Sequence, residues 1–178
     1  MRGLLIALLA GLQSGDGAVP CRLDVPAACR DTNTLVSSDG FDAAISAFLG
    51  DRRADFLYKD HSVAEQATDV LGGPPDVPTR IGPYWRFTAC RAHSCGEKGA
   101  VVLLPSGAIV AVAILHSRCA LPQPGADCFA HDTLTLFVRA AGPDVIRNLR
   151  SWGEDQARVG RVAGLRATTL DAVEVVPV

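Results

Sequence analysis

The chain has no excess of basic residues. Among its 178 residues, 17 Lys and Arg face 19 Asp and Glu, so nothing is available to neutralise a run of phosphates. Nucleic acid is therefore not an expected partner. No apolar run approaches the roughly 18–20 residues that span a bilayer, so a membrane partner is not expected either. No G-x-S-x-G elbow surrounds Ser94, Ser106 or Ser117, which leaves a serine hydrolase without support. Cys90-x-x-His93-x-Cys95 looks like one half of a zinc site. Structural zinc needs four ligands, usually in two such halves, and no second half is present. No metal or cofactor is expected. No internal repeat is visible.

What is present suits one ordinary domain. Hydrophobic residues make up 48% and charged residues 20%, enough to bury a core. Met1-Arg2-Gly3 precedes the apolar run Leu4 to Leu12, the layout of a short n-region and an h-region. A signal peptide is expected over residues 1–18, and export with it. Six cysteines agree with export: Cys21, Cys29, Cys90, Cys95, Cys119 and Cys128. Six cysteines allow about 15 connectivities. The spacing gives each one near neighbour, Cys21 with Cys29, Cys90 with Cys95 and Cys119 with Cys128, and each pair would close a small loop.

Along the chain, residues 19–40 are rich in Pro, Asp, Ser and Asn, and read as an irregular arm pinned by Cys21 and Cys29. Phe41, Ala44, Ile45, Phe48 and Leu49 form one helical stripe, with Ser38 or Asp39 as cap and Gly50 as stop. Ser62-x-x-Glu65 is a capping-box pattern for a helix from Val63 to Leu71, ended by Gly72-Gly73. Trp85, Phe87 and Ala89 alternate with polar residues, the period of a half-buried strand. Ala100–Leu104 and Ala108–Leu115 bracket Pro105-Ser106-Gly107 and predict a hairpin covered on both faces. Leu134, Leu136 and Val138 predict another strand. Pro143 opens a helix with Val145, Ile146, Leu149 and Trp152 on one face. Residues 158–178 read as a tail or an edge strand. The expected fold is α+β: a central antiparallel meander flanked by helices, a single-domain sandwich over 41–157.

The stretch Cys90-Arg91-Ala92-His93-Ser94-Cys95-Gly96 lies between two strands. A disulfide between Cys90 and Cys95 would make it a rigid protruding loop, with Arg91, His93 and Ser94 pointing outwards. A loop held before binding loses less entropy on binding. His61, His116 and His131 read as ordinary structural histidines. Asp127 and Asp132 flank Cys128 and His131, the one polar cluster that could serve a small enzyme, although a stapled surface loop is the expected reading.

With Tyr84-Trp85-Arg86-Phe87-Thr88-Ala89 before it, this stretch resembles the signature C-K-P-H-D-C-G of the Ivy family, periplasmic inhibitors of C-type lysozyme. The order of elements over residues 41–152 is similar, and the loop is the specific part of the likeness. The resemblance implies a non-enzymatic protein. Its loop (Cys90, Arg91, Ala92, His93, Ser94, Cys95) would plug the cleft of a C-type lysozyme or related muramidase, with His93 between the two catalytic carboxylates. It also implies a periplasmic location and leaves a homodimer open. Arg91 stands for Lys, Ala92 for Pro and Ser94 for Asp. Because the family includes members without lysozyme inhibition, an interaction protein for a different envelope partner is the alternative expectation.

Overall fold

Apolar residues at both parities of a strand require cover on both faces, and that requirement organises this molecule. The computed structural model describes residues 19–117, 131–162 and 169–178. Strands β1 (Arg53–Ala54) and β2 (His61–Ser62) form a small antiparallel ladder. Strands β3 (Thr79–Ile81), β4 (Tyr84–Arg91), β5 (Ser94–Leu103), β6 (Ile109–Ser117), β7 (His131–Val138) and β8 (Thr169–Pro177) form a six-stranded sheet in sequence order. The fold is α+β around this central sheet.

One face carries Phe87, Val101, Leu103, Val112, Ile114 and Phe137. It is covered by α1 (Thr32–Val36), α2 (Phe41–Leu49) and α3 (Val63–Leu71). The other carries Val102, Ala111, Ala113, Leu115, Leu134 and Leu136 under Val145, Leu149 and Trp152 of α4 (Pro143–Val162). Burying a side chain of this size contributes roughly 1.5–3 kcal/mol, so the two faces account for most of the stabilising burial. Gly99 sets the approach of α3: a Cβ there would lie 2.5 Å from Val70 Cγ2. A larger residue would push the helix off the sheet.

Four differences from the sequence expectations have physical causes. The half-buried strand over Trp85–Ala89 has Thr88 and Cys90 buried as well, because the connector after α3 runs along its edge: Thr88 bonds Asp76 through side chain and backbone, and Cys90 N donates to Pro74 O. The meander is antiparallel only from β3 to β7. β8 returns through the α4 crossover and pairs parallel to β7, so the sheet is mixed and the tail is an edge strand. The arm is not irregular throughout. After a 3-10 turn at Pro26–Ala28, Asp31 caps α1 by accepting from Thr34 N at 2.8 Å, while Thr34 Oγ1 accepts from Asp31 N at 3.2 Å. Leu35 and Cys29 then enter the core. Finally, α2 is preceded by Gly40 in the left-handed region (φ 85°), with no side-chain cap from Ser38 or Asp39. Ser62 does cap α3, by accepting from Glu65 N.

Candidate functional site

β4 and β5 meet at the Cys90–Cys95 segment. Arg91 pairs with Ser94, so Ala92 and His93 alone make the turn, and Cys90 pairs with Lys98. Cys95, Gly96 and Glu97 therefore bulge from β5 between those two pairings. The expected six-residue protruding loop is thus a narrow hairpin tip with a bulged limb. His93 sits at that tip with φ 63° and its side chain exposed. Histidine is among the few non-glycine residues that enter the left-handed region with some frequency. The position still stores about 1–3 kcal/mol of backbone strain, which the surrounding structure must hold in place.

Two features hold it. The first is covalent: Cys90 and Cys95 are disulfide-bonded, with Cα atoms 4.7 Å apart. Cys90 is buried and Cys95 exposed, so the bridge ties the outer limb to the packed root. The second is a charged chain. Arg91 donates to Glu97 Oε2 at 2.7 Å and to the Tyr58 hydroxyl at 2.7 Å, with its guanidinium 4.8 Å from the centre of the Tyr58 ring. Tyr58 donates in turn to Asp69 Oδ2 of α3 at 2.5 Å. The bond to Glu97 raises the Arg91 pKa above its ordinary value, and the bond to Asp69 raises that of Tyr58. Arg91 was expected to point outwards. It is instead half-buried and folded back, because a planar fork can satisfy two acceptors at once.

Gly73 completes the mount. A Cβ there would fall 2.0 Å from Cys90 O and 2.5 Å from Ala92 N. Cys90 N donates to Pro74 O, so the connector after α3 lies directly against the hairpin root. Beside the hairpin, Tyr58, Thr68, Asp69, Gly72, Arg91 and Ala92 line an open groove of about 390 Å³.

Tyr58 is placed by a residue that motif reading missed. Gln66 is fully buried in α3. Its Oε1 accepts from Phe56 N, Leu57 N and Tyr58 N at 3.1, 2.7 and 3.3 Å. Its Nε2 donates to Ala54 O and His61 O at 2.9 and 3.1 Å. One polar side chain on the apolar stripe of a helix was the signal that could have found it.

The remaining candidates disperse. Cys21 and Cys29 form the second disulfide, while Cys119 and Cys128 lie outside the described residues, as do Asp127 and the expected signal peptide at residues 1–18. Asp132 is buried and accepts from Ser117 Oγ at 3.3 Å, whereas His131 is exposed beside Asp171 at 2.6 Å. His116 is buried against Phe56 and bonds Thr135, and His61 is exposed near Glu65. Among the described residues no group of three His, Cys, Asp or Glu side chains is placed to hold a metal ion. At Cys90-x-x-His93-x-Cys95 both sulfurs are already used in the disulfide. No described helix is long and apolar enough to cross a membrane.

The geometry therefore offers a tied hairpin presenting one imidazole. Comparison with family models, with curated proteins and with solved structures gave no match, so the likeness to the Ivy family rests on the hairpin motif alone.

Proposed function

We propose that the protein is a periplasmic inhibitor of C-type lysozyme that inserts the Cys90–Cys95 hairpin into the enzyme's cleft. One observation carries the reading: His93 is the exposed tip of a hairpin fixed covalently by Cys90–Cys95 and electrostatically by Arg91. Such a tip is organised before it meets a partner, so little ordering entropy opposes binding. Lysozyme holds one ionised carboxylate and one carboxylic acid of raised pKa on either side of its cleft. A protonated imidazole between them donates from both ring nitrogens, and such charge-assisted bonds contribute about 1.5–3 kcal/mol each. Two disulfides fit the oxidising compartment in which that enzyme is met.

The test is a cell-wall lysis assay with hen-type lysozyme and the mature protein. The expected result is stoichiometric inhibition, with potency reduced about 100- to 10,000-fold in His93→Ala, in line with two lost charge-assisted bonds. No inhibition at micromolar excess would remove this target.

A second reading has its own support. With Arg91 folded back and Ser94 neutral, His93 is the only titratable side chain at the tip itself. That spare surface suits a different envelope partner. Capture from envelope extract of a protein other than lysozyme, lost in His93→Ala, would favour it.

A further inference from the structure

The groove beside the hairpin carries a charge that its own residues do not balance. Its lining comes from three parts of the fold: Tyr58 from the loop between β1 and β2, Thr68, Asp69 and Gly72 from the C-terminal end of α3, and Arg91 and Ala92 from the hairpin. The space is about 390 Å³ and open to solvent. Ala92 is the neighbour of His93, so whatever holds the imidazole lies against the mouth of this groove.

The cation on the wall is already engaged. Arg91 Nη1 donates to Glu97 Oε2 and Nη2 to the Tyr58 hydroxyl, so its charge is matched by Glu97. The anion is not matched. Asp69 is exposed, its Oδ2 accepts from Tyr58, a neutral partner, and its Oδ1 makes no hydrogen bond among the described residues. Asp69 also stands in the last turn of α3, at the negative end of the helix dipole, where the final carbonyls lack partners within the helix. A carboxylate has the wrong sign for that position, and the last turn holds no basic residue to offset it. Gly72 N reaches only the Asp69 carbonyl, at 3.4 Å. Lys59, next to Tyr58, is exposed and does not line the groove. Arg91 therefore faces Glu97, Asp69 and a helix C-terminus together, and the local balance is negative.

We propose that this groove receives a lysine or arginine side chain of the protein that the hairpin engages. The cation lies against Asp69 Oδ1 and the open carbonyls of α3, and its alkyl stem runs along Tyr58 and Ala92. His93 then offers an imidazole to acidic groups of the partner, while the groove offers an acidic group to a base beside them. An exposed charge pair contributes little affinity by itself, but a requirement for both signs side by side fixes orientation and rejects other partners. An enzyme that works on an acidic polymer is steered by basic side chains around its cleft, which is where such a cation would come from. The inference rests on the reading that the His93 hairpin docks into another protein, whichever protein that is.

Two experiments keep the groove and that reading apart. The first needs no partner. Amide resonances of Thr68, Gly72 and Ala92 are followed in the mature protein as Nα-acetyl-arginine amide, Nα-acetyl-lysine amide or the neutral isostere Nα-acetyl-citrulline amide is added. Saturable shifts at these residues are expected for a cation in the millimolar range, absent for citrulline and lost in Asp69→Asn. An equal response to citrulline, no response to either cation, or an unchanged response in Asp69→Asn overturns the proposal. The second measures lysozyme inhibition as a function of salt. Asp69→Asn keeps an oxygen for the Tyr58 hydroxyl, so the hairpin mount stays, which unaltered amide exchange at Ala92–Ser94 verifies. Its potency should fall about three- to tenfold and depend less on salt. Thr68→Lys places a cation of the chain's own in the last turn of α3; it should keep or raise the melting temperature and weaken potency in the same way. Full inhibition by both variants overturns the groove and leaves the hairpin standing. Absence of inhibition by the parent removes lysozyme as the target, and the amide titration then decides the groove by itself.

Discussion

Replacing Gln66 with Met tests whether one buried amide organises the approach to the hairpin. The two side chains have similar volume, so packing of α3 changes little. What is lost is polar. Oε1 serves three backbone N–H groups, but a carbonyl oxygen has two lone pairs, so two good bonds are counted there. Nε2 adds two more, to Ala54 O and His61 O. At about 1 kcal/mol net for each, the loss approaches about 4 kcal/mol. The 55–58 segment can recover part of that by opening to water, which sets the expected destabilisation at about 2–4 kcal/mol. Urea unfolding reads this from the midpoint at unchanged slope. Hydrogen exchange at Phe56, Leu57 and Tyr58 should accelerate before the sheet does, because the opening is local. A change below about 0.5 kcal/mol with those amides still protected would refute the reasoning, since the bonds would then contribute nothing net.

Three further outcomes follow from the same geometry. Arg91→Lys should leave overall stability nearly unchanged while speeding amide exchange at Ala92–Ser94, because an ammonium cannot hold Glu97 and the Tyr58 hydroxyl in one plane; unaltered exchange would show that the disulfide alone fixes the tip. Replacing Cys21 and Cys29 by Ser removes a loop with sequence separation 8, for which chain entropy sets a cost of about 2–3 kcal/mol by thermal or urea unfolding. The backbone N–H of Thr34 holds the Asp31 carboxyl below its ordinary pKa, so its contribution is full above about pH 4 and is lost as pH falls through the lower folded value. Asp31→Ala should cost about 1 kcal/mol at neutral pH and less in strong acid, as acid-titrated unfolding curves would report.

Much of the fold was legible because local and tertiary demands agreed. The stripe from Phe41 to Leu49 and the Ser62 cap of α3 produced the expected helices, since propensity, capping and burial point the same way there. The runs 100–104 and 108–115 are two-face-buried strands for the same reason. Two features were not legible. The parallel pairing of β8 depends on a crossover that no local pattern encodes. The helix at Thr32–Val36 spans five residues, too short for periodicity to register, and it is held by Asp31, the disulfide and the burial of Leu35.

The hairpin was legible as a motif and illegible as a mechanical object, and the difference lies in long-range partners. Cys90, His93 and Cys95 are close in sequence, so spacing alone suggested a tied loop. Arg91 reads as one more outward charge until Tyr58, 33 positions away, is seen to accept from it and pass the constraint to Asp69. That chain runs from the tip through Tyr58 to Gln66, so the residue most remote from the tip in sequence pattern governs how still the tip is. A partner that requires an organised imidazole should therefore lose affinity in Gln66→Met even though Gln66 touches nothing outside the protein. The loss should appear in the dissociation rate, because the tip's charge and therefore its encounter with the partner are unchanged. A variant with normal dissociation and a loosened 55–58 segment would separate the two, and would mean that the disulfide suffices to hold His93.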